Sequence, residues 1–158
     1  MAANESVGLI PFYPFLYEEL FEPLSEVVED RYIASNEKIA FFQHEGAGIL
    51  NFLLVQADTP DFSIIISADG KETTNSIKAL YNLGLTFPLR NFFFVSRYDT
   101  ANNIYVVVYD PLSPLSFSRY CHITAYNESA AAAKFTAVIS AVKISEKLIA
   151  LASAEEEE

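Results

Sequence analysis

At 158 residues the chain fits one domain, long enough to bury a real core without disulfides or a structural metal. Hydrophobic residues make up 51% and aromatic residues 14%, with no Trp, so a large apolar surplus has to be buried somewhere. Ten basic residues against 21 acidic ones give a net charge of −11, which leaves no electrostatic footprint for phosphate backbones and argues against nucleic acid as a partner of the general surface.

A single cysteine, Cys121, excludes an intramolecular disulfide framework. The longest apolar runs, 48–57 and 130–142, are short or broken by Asn51, Lys134 and Ser140, so no transmembrane segment is expected. The N-terminus lacks a basic region ahead of an apolar one, and a soluble, cytoplasmic, uncleaved chain is the expectation unless it is built into a particle.

In chain order, residues 1–30 form an aromatic and proline-rich arm or cap. Phe12, Tyr13, Phe15, Leu16, Tyr17, Leu20 and Phe21 are set among Pro11, Pro14 and Pro23, with Leu16, Leu20 and Leu24 at helical spacing. A short helix between Pro14 and Pro23 is predicted. The segment either folds back on its own domain or docks on a neighbouring subunit, since aromatic side chains at this density are costly to leave in water.

Residues 31–145 read as strands. The first two are Arg31 to Ala34 and Lys38 to His44, separated by a turn at Asn36 and Glu37; then Gly46 and Gly48 lead into Ile49 to Ala57, apolar on both faces and hence central. Phe62 to Ser67 alternates as a half-buried strand and ends in Asp69-Gly70, where glycine supplies positive φ at little cost. The following residues predict one helix, with Thr73, Thr74 or Asn75 as cap, Ile77, Leu80 and Tyr81 on its apolar stripe, and Gly84 as the residue that ends it. This helix marks a crossing between sheets. Four more strands are predicted: Asn91 to Tyr98, Ile104 to Asp110, Leu115 to Tyr126 and Lys134 to Ile144, the first two joined by the polar link Asp99 to Asn103. Residues 146–158 form a short helix that frays into an acidic tail.

About eight strands, one inserted helix and no βαβ alternation predict a mainly all-β fold, an antiparallel β-sandwich of jelly-roll type with short helical N- and C-terminal segments; an open α+β sheet is the alternative.

Against that scaffold the residues for chemistry are sparse. Cys121 and His122 are strand neighbours on opposite faces, and His44 with scattered carboxylates lacks a group to orient it, so neither a nucleophile pair nor a metal site is expected. The turn aspartates Asp58, Asp61, Asp69, Asp99 and Asp110 have a sufficient local role in turn bonding. No catalytic residue, metal or cofactor is assigned, and the chain is read as non-enzymatic. Asp69, Gly70 and Gly84 are structural turn and cap positions. Tyr98, Tyr105, Tyr109 and Tyr126 are either core edges or stacking platforms for a carbohydrate or other ligand.

The order of strand 48–57, turn and strand 61–70, and helix 76–83 resembles small β-sandwich structural proteins of viruses and phages, such as capsid, decoration or tail components. That resemblance covers the pattern of residues 31–144 and implies a virion subunit that associates with its own copies or with other structural subunits, using residues 1–30 as an arm. A ligand- or carbohydrate-binding sandwich is the alternative.

Overall fold

The computed structural model describes residues 21–88, 92–147 and 149–150. Eleven strands run in order: β1 (Phe21–Pro23), β2 (Glu26–Ile33), β3 (Lys38–Glu45), β4 (Gly48–Ala57), β5 (Phe62–Ala68), β6 (Lys71–Ser76), β7 (Phe93–Asp99), β8 (Ile104–Tyr109), β9 (Leu115–Phe117), β10 (Tyr120–Asn127) and β11 (Ala133–Ile144). One helix, α1 (Ile77–Asn82), lies between β6 and β7, and backbone beyond Ser145 is helical at 146–147 and 149–150.

Two antiparallel sheets result, ordered β1-β11-β4-β8-β7 and β3-β10-β5-β6, with β2 also on β11 and β9 also on β4. The topology is that of a long hairpin rolled up on itself. Its arms pair as β2 with β11, β3 with β10, β4 with β8 and β9, and β5 with β6; rolling then brings β11 onto β4 and β10 onto β5. This is the expected jelly roll. Asp69-Gly70 is the tip of the rolled hairpin: Ala68 pairs with Lys71, and the two residues between them have φ of +49° and +81°, as a two-residue turn matching the twist of its strands requires.

The core lies between the sheets, with Phe62, Phe135, Leu50, Leu53, Ile64, Ile123 and Ile139 each at most 1% exposed. β11 alternates regularly, Ala133, Phe135, Ala137, Ile139 and Ala141 inward, as its sequence predicts. Elsewhere bulges adjust the alternation. In β3 the partner register jumps from Phe42 to Ala40, so Phe41 is an extra residue and both phenylalanines reach the interior. The buried Asn127 ties three segments together: its Nδ2 donates to the carbonyls of Ile33, Ala34 and Ala131, and its Oδ1 accepts from the backbone N–H and hydroxyl of Ser129.

Three expectations require correction. The sandwich begins before residue 31: β1 pairs Phe21–Pro23 with Ile144–Val142, and β2 starts at Glu26. Phe21 and Pro23 are therefore extended rather than helical, and Pro23, with no N–H to donate, is suited to the sheet edge it occupies. Second, Lys71–Ser76 is a strand, not a turn and helix start; the cap of α1 is Ser76, whose Oγ accepts the Ala79 N–H at 3.3 Å, rather than Thr73, Thr74 or Asn75. Third, the run 115–126 divides at Ser118 and Arg119 into β9 on one sheet and β10 on the other. Cys121 and His122 point to opposite faces as expected, and Cys121 is the direct cross-strand partner of His44, with which it shares the inward face.

Gly84 ends α1 as expected. Its φ is +77°, its N–H donates to the Tyr81 carbonyl and the Leu85 N–H to the Leu80 carbonyl, the double bond pattern of a left-handed helix cap. The helix carries the chain from the four-stranded sheet to β7 of the other, against which it packs. Ile77 is fully buried and Tyr81 stacks on Tyr98, ring centroids 3.8 Å apart and 9° from parallel.

Candidate functional site at the open edge of the sandwich

The residues assigned to an interaction arm, Phe12, Tyr13, Phe15, Leu16, Tyr17 and Leu20, lie outside the described residues; only Phe21 lies within them, half-buried in β1. The turn and cap residues Asp69, Gly70 and Gly84 stand where the sequence places them. Asp69 does more than turn the chain. One carboxylate oxygen accepts the backbone N–H groups of Arg119 at 2.8 Å and Tyr120 at 3.2 Å, and the other accepts the N–H of Ser118 at 2.7 Å and its hydroxyl at 3.1 Å. In return Arg119 Nη2 donates to the Asp69 carbonyl and the Tyr120 hydroxyl accepts the Gly70 N–H. Bonds to Ser118 first, against a desolvation cost, hold the Asp69 carboxyl down at about 2. With its acceptor positions filled, this group is a structural clamp and not a catalytic acid.

The other chemistry-bearing residues also resolve into structure. Burial pushes the Cys121 thiol up to about 11, so its pairing with His44 is not a thiolate–imidazole couple, and the His44 ring instead meets Phe117 edge-on. His122 faces outward, against Glu45 and Tyr120. The Asp58 carboxylate accepts the Lys134 N–H, Asp61 pairs with Lys78, and Asp99 bonds Arg97 and Asn102 within its own hairpin. Among the described residues no three His, Cys, Asp or Glu side chains gather as a metal site would need.

Of the four tyrosines marked as stacking platforms, Tyr105 is buried at 3% exposure and meets Tyr98 edge to face; Tyr98 is in turn covered by Tyr81. Tyr126 lies under the Lys38 ammonium, 4.9 Å from its ring centre. Of the four, Tyr109 alone opens on a cavity.

That cavity is a cleft of about 500 Å³ between the free edges of the two sheets. Its first wall is β6. Lys71, Thr73 and Asn75 pair directly with Ala68, Ile66 and Ile64, which belong to the core, so these three polar side chains take the inward face. The opposite wall is aromatic: Phe93 and Tyr109 are cross-strand partners with rings 4.8 Å apart and 22° from parallel, and Phe92 stands at the rim. The amide Nδ2 of Asn75 is buried without a hydrogen-bond partner. A polar inward row is a departure from sandwich patterning, which normally sets apolar residues on that face of a strand.

The same edge carries an apolar surface. Tyr81, Leu83, Phe87 and Phe92 are 42%, 74%, 55% and 62% exposed, the first in the last turn of α1 and the other three in the connection from α1 to β7. Leu112, 66% exposed, follows β8 three residues after Tyr109, at the end of the hairpin from which Phe92 enters. Sequence reasoning missed both features. The cleft was hidden because a polar strand reads as loop, and the apolar connection because Leu83 and Phe87 carry no periodicity once the helix has stopped.

The sequence matches no protein-family model, and no curated protein is significantly similar to it. No helix among the described residues is long and apolar enough to cross a membrane.

Proposed function

We propose that the chain is a non-enzymatic structural subunit that works through protein–protein contact with its own copies, of the virion kind its sequence pattern resembles, with the virion as its location. The observation that carries this reading is the exposed apolar run formed by Tyr81 at the end of α1 and Leu83, Phe87 and Phe92 in the connection after it. Large apolar side chains concentrated in one stretch mark association surfaces more often than bare solvent-facing loops. They lie beside β7, the last strand of its sheet, whose outer edge has no strand paired to it among the described residues. An apolar patch next to an unpaired edge favours a partner that can cover both.

The jelly roll supports the reading as a scaffold, because its loops and edges can be specialised for contact while the interior stays filled. The turn carboxylates add support, since Asp58, Asp61, Asp69 and Asp99 are each taken up in bonds within the fold.

The test is the mass of the full chain by size-exclusion chromatography with light scattering over a wide concentration range. Self-association is expected, and Leu83→Glu with Phe87→Glu is expected to abolish it while leaving circular dichroism unchanged. A monomer throughout the range, or association untouched by the double substitution, would refute the reading.

A further inference from the structure

We infer that the cleft between β6 and β7 to β9 binds a neutral pyranose sugar, stacked on the aromatic wall and hydrogen-bonded to Thr73 and Asn75. Phe92 borders both this cleft and the assembly surface, and the two readings are tested at different residues, the assembly at Leu83 and Phe87 and the cleft at Thr73 and Asn75.

A pyranose ring has two kinds of surface. Its C–H face is apolar and packs on an aromatic ring, while its rim carries hydroxyl groups that both donate and accept. The cleft presents the matching pair on facing walls. Phe93 and Tyr109 form a stacked aromatic surface on one side, and the amide of Asn75 and the hydroxyl of Thr73 lie on the other. Its volume of about 500 Å³ is in the range of small-molecule sites.

Asn75 supplies the second, independent observation. A side-chain amide can make four hydrogen bonds, yet its Nδ2 is buried and unpartnered; of the three such atoms among the described residues, with His44 Nε2 and Ser145 Oγ, it is the one that lines the cleft. Such a donor needs an acceptor that enters the cleft, and a sugar hydroxyl is one. The Tyr109 phenol, which burial pushes further above its ordinary value, is a second neutral donor at the lining.

Charge selects against the other small ligands. Lys71 is the cation of the lining, and the Asp69 carboxylate beside it is saturated by the Ser118 to Tyr120 backbone, so neither a strong anion site nor a cation site is built. The surrounding chain, at a net charge of −11, repels polyanions. A long aliphatic ligand would leave Thr73 and Asn75 buried against hydrocarbon, at the cost of unmade hydrogen bonds.

The experiment is protein-observed NMR on the isotope-labelled full chain, titrated to high millimolar with the methyl pyranosides of glucose, galactose, mannose and N-acetylglucosamine, and with octanoate. At least one pyranoside is expected to shift the Asn75 side-chain amide and the backbone amides of Thr73 and Tyr109. Thr73→Val, which keeps the shape of the side chain, is expected to weaken that binding by about fivefold, the loss of one hydrogen bond. Asn75→Leu is expected to weaken it at least as much, and Thr73→Val alone decides the matter if Asn75→Leu does not fold. No shift with any pyranoside, shifts confined to another surface, equal binding by Thr73→Val, or octanoate binding there in place of every sugar would overturn the inference.

Discussion

The Asp69 carboxylate accepts the backbone N–H of Arg119 at 2.8 Å across fifty residues of sequence. The tip of the rolled hairpin is thereby fastened to the point where the opposite arm leaves one sheet for the other. The clamp has a pH signature. Asp69 is held at about 2 in the fold against 3.8 ordinarily, so between those values the unfolded chain binds the proton more readily and stability rises with pH. The contribution is complete above about pH 4 and disappears as pH falls toward 2. Asp69→Asn is therefore expected to be less stable than the parent at neutral pH and to lose that deficit on acidification, read from urea midpoints at each pH. Asp99, lowered similarly by Asn102 and Arg97, is present in both proteins and cancels in the difference.

Gly48 is required for space and not for backbone freedom. A Cβ at this position would stand 2.5 Å from the Phe117 ring and 2.7 Å from the Val142 carbonyl oxygen. Gly48→Ala is expected to cost about 2 kcal/mol or more by urea denaturation, the range for overpacking. Adding Phe117→Leu relieves only the ring contact, and the double variant stays below Phe117→Leu alone because the Val142 carbonyl belongs to the backbone.

Gly84 makes the opposite case. Nothing lies within 4 Å of where its Cβ would be, and its φ is +77°. Gly84→Ala is expected to cost about 1 kcal/mol from backbone strain alone, and Gly84→Asn less, since Asn tolerates the left-handed region. Equal midpoints for all three proteins would remove the helix cap from the account.

Asn127 joins the ends of β2 and β10 to the loop before β11 through five side-chain hydrogen bonds. Asn127→Leu strands buried carbonyl groups and is expected to cost about 3 kcal/mol. Asn127→Asp is expected to be worse at neutral pH, because a carboxylate would face the carbonyl oxygens of Ile33, Ala34 and Ala131. Thermal unfolding of both variants checks the order.

Strands buried on one face or both could be read from the chain because burial writes itself as alternation or as an apolar run; β4, β5, β8 and β11 are the examples. The elements that were misread lie at sheet edges. β2, with Glu26, Glu29, Asp30 and Arg31, and β6, with Lys71, Glu72, Thr73 and Thr74, place charged and polar residues in extended backbone where water replaces a neighbouring strand. Their pairing is imposed by the partners, β11 and β5, and leaves no periodicity of its own. β2 also carries an extra residue opposite Thr136, with Asp30 at φ +44°, which breaks what alternation it had. The division at Ser118 was invisible for a related reason: the group that holds it open is Asp69, far away in sequence. Of the candidate site, Tyr109 was visible as one tyrosine among several. Its selection depends on which neighbours cover the others, and that is settled only by the assembled sheets.

The positions of β10 and β11 carry a consequence for biosynthesis. β10 is flanked by β3 and β5, and β11 by β4 on one side and β1 and β2 on the other, so the two latest strands hold the interiors of both sheets. While the ribosome is still translating toward Asn127, β3 has no partner to receive it, and β2 has none until Ile144 is reached. The nascent chain can close β5 on β6, β7 on β8 and β4 on β8 early, but the centre of each sheet stays open until β10 and β11 emerge from the exit tunnel. The sandwich is therefore completed only after β11 is made, and during that interval the flanks of β4 and β5 are exposed to whatever chaperones the cell provides.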